Sequence, residues 1–319
     1  MCYSAMVEQD LKSLGRLFKA RVDHAQFETL FQRRVTDDTI KIPKALEANF
    51  YHPKTPAEKR IKEAIDQYRE RMAKDWEAAM FAQKKRLAEA ERKLKVKETK
   101  KALEDQRIAT NKIAWYKTRI TDLKRTDLKA NDSRIFPFTY APVIVMEDDD
   151  YVIRPMRYHC RPQGKPAWYD RKYDGLYNAR RDNLEGFWKN LFGHHHACVV
   201  ISSFFENVAL SDFEKRALRP GEKEKNIILH FNPQPATQMI LACLWDHWGE
   251  PGKQDLDSFA AITDEPPPEV AATGHNRCVI PLKSSHLRAW LKPETQGKAV
   301  LYQVLDDREH PYYAHELAA

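Results

Sequence analysis

Glycine is the scarcest structural signal in this chain, with 10 in 319 residues and none between Gly15 and Gly164. The glycine-led loops GxGxxG, GxxxxGK[ST] and GxSxG are all absent, and so is the HExxH helix. Their absence removes the commonest signatures of nucleotide binding, serine hydrolysis and zinc hydrolysis. No apolar run approaches the roughly 18–20 residues that cross a bilayer. The first residues lack a basic segment leading into an apolar one, so no secretory leader and no membrane association are expected. Five cysteines, at 2, 160, 198, 243 and 278, form an odd set without a CxxC pair. Neither a disulfide framework nor a zinc site is indicated. The last four are expected as buried thiols in a reducing, cytoplasmic compartment.

What is abundant is charge, at 31% of residues, beside 42% hydrophobic residues. The chain is long enough to bury a substantial core, and high charge with little glycine points to much helix. The net charge of +7 is unevenly placed. Residues 57–136 hold 23 Lys and Arg against 14 Asp and Glu, so the other 239 residues sum to −2.

Residues 1–56 form a first segment that reads as helical to about residue 50, with Leu11, Leu14, Leu17 and Phe18, then Phe27, Leu30 and Phe31, at helical spacing, and breaks up around prolines 43, 53 and 56. Thr55-Pro56 is a helix entry, Thr as cap and Pro at the first position. From there no proline occurs until Pro137. Ile61, Ile65, Tyr68, Met72, Trp76, Met80, Leu87 and Leu94 trace one apolar stripe, continued by Ile108, Ile113, Trp115 and Ile120. The pattern predicts a basic helical insertion over 57–130, as an antiparallel hairpin or one very long helix of coiled-coil character. It reads either as an arm for DNA or a partner protein, or as a solvated, salt-bridged pair with no ligand.

The texture changes near residue 135. FPFTYAPVIVM, YVIRPMRY, ACVVISSFF, NIILHF and SFAAIT are strand-like runs between turn signals. ATQMILACLWDHW and the stretch after KSSHLRAWL read as helical. The expected fold is α+β, with a strand-rich core over 131–305 and a tail at 306–319.

Several polar islands interrupt this half. His194-His195-His196 invites a metal reading, but three successive residues do not share a face. No carboxylate lies at ligand spacing, a polar lead-in to the next strand accounts for them better, and no metal or other cofactor is expected. The remaining islands are YNARRDN at 177–183, SSFFEN at 202–207 and TGHNR at 273–277. A strand-end carboxylate, a histidine in a glycine-led turn and an Asn-Ala-Arg run suit an acid–base site. Singly, each is more often a surface or structural residue.

Together with Met1-Cys2, the islands Asn178-Ala179-Arg180, Phe204-Phe205-Glu206 and His275-Asn276-Arg277 resemble, in order, the SOS-response-associated peptidase (SRAP) family of abasic-site processing proteins. MRYHCRP at 156–162 stands where that family has an Arg-Trp-Gly stretch, and LACLWDHWGEP resembles a family helix. The resemblance covers about 1–50 and 135–305. Departures are Tyr3-Ser4 for Gly-Arg, Asn207 for Trp, and Cys278-Val279 for Met-Pro.

The resemblance implies a barrel-like mixed sheet with flanking helices, and a covalent reaction with abasic sites in single-stranded DNA. Removal of Met1 would give Cys2 an α-amine, of ordinary pKa about 7.7–8.0, beside a thiol. The amine condenses with the ring-opened sugar aldehyde, and the thiol closes a thiazolidine. By the same resemblance Glu206 shuttles protons, His275 assists ring opening, and Asn178 positions the Cys2 backbone. Arg180, Arg277 and Arg157 would hold phosphates, while Trp168, Tyr158 and Phe204 would stack bases. Competing readings are a cysteine peptidase limited to its own processing, and a non-enzymatic DNA-binding module built on the basic arm. The expected location is cytoplasmic, at the nucleoid, or nuclear in a eukaryote.

Overall fold

The computed structural model describes residues 3–318. The chain divides into two compact units, one formed by Met1–Phe27, Ile40–Asn49 and Ala130–Ala319, the other by Glu28–Thr39 and Phe50–Lys129. The architecture is mixed α+β, with one large sheet, several helices and one very long helix.

In the first unit the strands are β1 (Ser4–Val7), β2 (Arg21–Val22), β3 (Arg134–Ile135), β4 (Tyr140–Glu147), β5 (Asp150–Tyr158), β6 (Asn178–Arg180), β7 (His196–Ala209), β8 (Asn226–Gln234), β9 (Met239–Trp248), β10 (Leu256–Asp264), β11 (Cys278–Val279), β12 (Pro281–Leu282) and β13 (Tyr312–Leu317). All five strand-like runs of the sequence lie in this sheet. Its inward residues, among them Val143, Met156, Val199, Phe204, Phe231, Leu241 and Phe259, make one apolar cluster.

Two strands change partners along their length. The first half of β7 lies between β4 and β9, and its second half between β1 and β8. The first half of β10 lies between β5 and β9, and its end between β6 and β11. Strand β9 bonds to both β7 and β10, and β4 to both β5 and β7. The ends of β7 and β10 thus receive β1, β6 and β11, the three short strands that carry or adjoin the sequence islands.

The segment ATQMILACLWDHW is not a helix. It forms β9 (Met239–Trp248), which pairs with β7 over 239–244 and with β10 over 243–248. A central strand covered on both faces reads as a nearly continuous apolar run, which periodicity alone does not separate from a buried helix. The residues read as helical near the start include a strand too, β1, while Leu11–Phe18 (α1) and His24–Arg34 (α2) are helices as expected. Asp10 caps α1 through the N–H groups of Lys12 and Ser13. A short helix, α3 (Lys44–Ala48), follows. Within 306–319, set apart from sequence as a tail, β13 pairs with β8 from Tyr312↔Gln234 to Leu317↔Leu229.

The second unit is dominated by α4 (Pro56–Val96) and α5 (Lys100–Lys124). Thr55 and Glu58 form a reciprocal capping box, and Thr99 caps α5 after a three-residue turn. Cross-links Trp76–Trp115, Arg86–Asp105 and Glu77–Lys124 make the pair an antiparallel hairpin rather than one continuous helix. Ile61, Ile65, Met72 and Ile113 of the stripe are buried. Farther out the seam is lined by alanine, with Ala90, Ala102 and Ala109 buried and Leu87, Leu94 and Ile108 half-buried beside them. Small side chains let two helix backbones approach closely.

Candidate functional site

Glu206 sits near the end of β7, on the inward alternation with Phe204, and is fully buried. Its Oε2 accepts the Tyr3 N–H at 3.3 Å, and the same N–H reaches the Phe205 carbonyl at 3.2 Å. The antiparallel register Ser4↔Phe205 creates this contact. His275 approaches from the turn before β11, with Nε2 3.4 Å from Glu206 Oε2.

Burial pushes the Glu206 carboxyl up to about 8 and the His275 imidazole down to about 3. Both shifts favour the neutral form in a site closed to water. His275 Nδ1 lies 2.8 Å from the Arg277 carbonyl oxygen. A carbonyl only accepts, so Nδ1 carries the hydrogen and Nε2 presents a lone pair to Glu206. The Arg277 N–H, 3.4 Å from Nδ1, is then a neighbour and not a donor. A protonated carboxyl facing a bare imidazole nitrogen is the arrangement this geometry accommodates. Such a pair holds one mobile proton near neutral pH.

The turn that delivers His275 needs its glycine. Gly274 has φ +89°, and a Cβ there would stand 2.6 Å from Asp212 Cβ. Gly274→Ala is expected to lower stability by about 1–3 kcal/mol, read as a fall in the urea midpoint at unchanged m-value.

Asn178 begins β6, held parallel to β10 by the pairings Asn178↔Ala261 and Arg180↔Thr263. It is 6% exposed, and neither of its amide atoms has a hydrogen-bond partner among the described residues. Arg180 and Arg277 converge on one carboxylate, Asp182, at 2.6 and 3.5 Å. The sequence island that supplied Asn178 and Arg180 contains Asp182 as well, but its bridging place depends on the turn after β6.

Other expected DNA contacts lie elsewhere. Arg157 is half-buried, paired with Asp170 at 2.9 Å, and donates to the His159 carbonyl. Arg161 binds the same carboxylate. This is an internal ion pair, and a phosphate could reach Arg157 only by breaking it. Tyr158 is 2% exposed and packs against Tyr177 and Phe259, which leaves no ring face for a base. Phe204 stacks on Phe231 in the core. Trp168, 57% exposed, does present a ring to solvent. Cys2 lies outside the described residues.

Arg134 was missed by the sequence reading. Its Nε and Nη2 donate to Ser4 Oγ at 3.0 and 2.9 Å, and its guanidinium lies 3.4 Å over the Phe205 ring. A hydroxyl cannot neutralise it, and burial lowers its basicity. An arginine two residues before the run FPFTYAPVIVM was the only signal available.

The histidine triplet does not converge. His196 is buried between Phe192 and Trp290, accepting the Gly193 N–H and bonded to the Trp290 carbonyl. His195 faces Asp246. Among the described residues no group of three or more His, Cys, Asp or Glu side chains is placed to hold a metal. Cys160, Cys198, Cys243 and Cys278 are buried and unbridged, with thiol pKa values raised by burial.

Sixteen chains of solved structures show significant similarity. A protein from Bacteroides thetaiotaomicron matches with TM-score 0.46 at 14% identity, over 58% of this chain and 77% of its own. A protein from Bordetella bronchiseptica gives 0.45 at 16%, over 59% and 87%. A phage-related protein from the same organism gives 0.43 at 18%, over 58% and 80%. No curated protein matches the chain significantly. The family model described as "SOS response associated peptidase (SRAP)" matches residues 99–318, a span that holds Asn178, Glu206 and His275 and leaves out the first residues. With more than half of its length matched, the chain belongs to the SRAP family.

Proposed function

We propose that this protein processes abasic sites in single-stranded DNA, forming a thiazolidine between Cys2, exposed by removal of Met1, and the ring-opened sugar. Membership of the family supports a function associated with DNA damage. The observation that carries the finer reading is the buried Glu206–His275 pair beside the Tyr3 N–H, since Tyr3 directly follows Cys2 in the chain.

The chemistry asks for a proton donor and acceptor near neutrality. Attack of the neutral α-amine on the aldehyde gives a carbinolamine, and loss of water from it needs a proton on the departing oxygen. Glu206, largely protonated at pH 7, is suited to give that proton and to recover one when the thiol adds across the C=N bond. His275 Nε2, with its lone pair, suits the sugar hydroxyl during ring opening. Asn178 supplies unsatisfied amide groups to orient backbone near Cys2. Arg180, Arg277 and Trp168 remain the candidate DNA contacts, and Arg134 joins them. The circuit of pairings through β4, β5, β10, β9 and β7 fits the barrel-like core of this reading.

The family description also names a peptidase, and a Cys2 thiol beside the same acid could attack a peptide carbonyl. Intact mass after mixing with an oligonucleotide bearing one abasic site separates the two. Our reading expects a species equal to the chain without Met1 plus the oligonucleotide, less one water. Recovery of unmodified protein under conditions where it cleaves peptides would leave only the peptidase.

A further inference from the structure

We propose that the outer end of the α4–α5 hairpin is a second DNA-binding surface, which holds the phosphodiester backbone without regard to sequence. It goes beyond the Cys2 reaction and does not depend on it.

The argument rests on how charge is distributed along the hairpin. Residues 84–101 hold nine Lys and Arg against three Glu, so 18 residues carry +6 of the +9 found over 57–136. Nearer the base, most of the ion pairs of the unit are found, although Lys59, Lys112, Lys117 and Arg119 are exposed there without an ion pair to a described residue. Arg60 pairs with Glu28, Lys62 with Asp66, Arg71 with Asp38 and Asp75, Lys74 with Glu70, and Lys124 with Glu77. At the outer end Lys84, Lys85, Arg92, Lys95, Lys97 and Lys100 are exposed and make no ion pair with any described residue. A hairpin charged only for solubility would show the interleaved pattern throughout. Concentrated, unneutralised charge repels itself and is relieved by an external polyanion.

Spacing favours nucleic acid. Residues 84–96 of α4 rise about 20 Å at 1.5 Å per residue. That length matches about six phosphates at 3.4 Å along one DNA strand. The family's link to DNA damage selects DNA over an acidic protein.

The test uses the full chain with Cys2→Ala, which removes covalent trapping, with and without Arg92→Gln, Lys95→Gln, Lys97→Gln and Lys100→Gln. Glutamine keeps helix propensity close to that of lysine and arginine. Binding of undamaged single- and double-stranded oligonucleotides is followed by anisotropy from low to moderate salt. The slope of log Kobs against log[salt] is expected to shrink by about 3 on single strands or about 3.6 on duplex, whichever form the end holds, with at least a tenfold loss of affinity at about 0.1 M salt. The double variant Lys97→Gln/Lys100→Gln, confined to the turn and the start of α5, should give about half that change and guards against loss of helix, checked by circular dichroism. An unchanged slope on both DNA forms in a helical variant overturns the proposal. So does loss of binding to an acidic polypeptide alone, which would assign the surface to a protein. In the Cys2 background the four substitutions should leave adduct yield at saturating abasic DNA intact. If no adduct forms in any background while the slope still shifts, the abasic-site reading falls and this one stands.

Discussion

Cys2→Ala is expected to abolish the stable adduct with abasic single-stranded DNA while leaving binding to undamaged DNA within about twofold. Alanine keeps the α-amine, so an imine can still form and hydrolyse. What disappears is ring closure, because no sulfur stands ready to add across the C=N bond. Two readouts separate these steps. Denaturing electrophoresis without reductant should show wild-type adduct and no band for the variant. With borohydride present, the variant should regain a band, because reduction fixes the imine. A stable variant adduct without reductant would remove Cys2 from the chemistry.

Glu206→Gln is expected to slow adduct formation by about 10²–10⁴-fold, the usual contribution of a positioned acid–base group. Glutamine keeps shape and hydrogen bonding but carries no transferable proton. The wild-type rate should fall as pH rises through about 8, where the Glu206 carboxyl ionises, and the variant should lack that inflection. Stability should move the other way. A carboxyl whose folded pKa is raised binds its proton more tightly when folded, so the folded state is favoured at low pH. That advantage fades as pH rises from the ordinary 4.5 toward 8. At pH 8 the variant should therefore be more stable than wild type by at least about 1 kcal/mol, with the difference vanishing near pH 4. His275 works in the opposite direction, since its depressed pKa removes stability as pH falls from 6.5 toward 3. Denaturant melts across this range distinguish the two slopes. Equal pH dependence in variant and wild type would mean that Glu206 ionises freely.

The sequence was most legible where a local pattern and the final environment agree. The alternating or apolar runs of β4, β5, β7, β8 and β10 are strands, and Thr55-Pro56 opens α4 as a helix. It misled at β9, whose Met, Leu and Ala are good helix formers placed between two strands by tertiary pairing. Glu206 and His275 were singled out by residue type, 69 positions apart, and they meet because β7 and the turn before β11 end together. Arg157 and Tyr158 looked like surface contacts because their motif is polar and aromatic. Only the fold shows Asp170 and Phe259 closing over them. Arg134 went unnoticed for the converse reason, since it has no ion pair with a described carboxylate, which a linear pattern does not record.

In the proposed reading, where Arg180 and Arg277 hold a DNA phosphate, their shared partner Asp182 is a built-in rival for that ligand. A phosphate arriving there enters an exchange, displacing a carboxylate whose short tether gives it an effective concentration in the millimolar range or above. An isolated anion loses that competition, while a phosphodiester tethered by further contacts along the same strand wins it. Discrimination at this corner therefore resides in the leaving partner as much as in the two arginines.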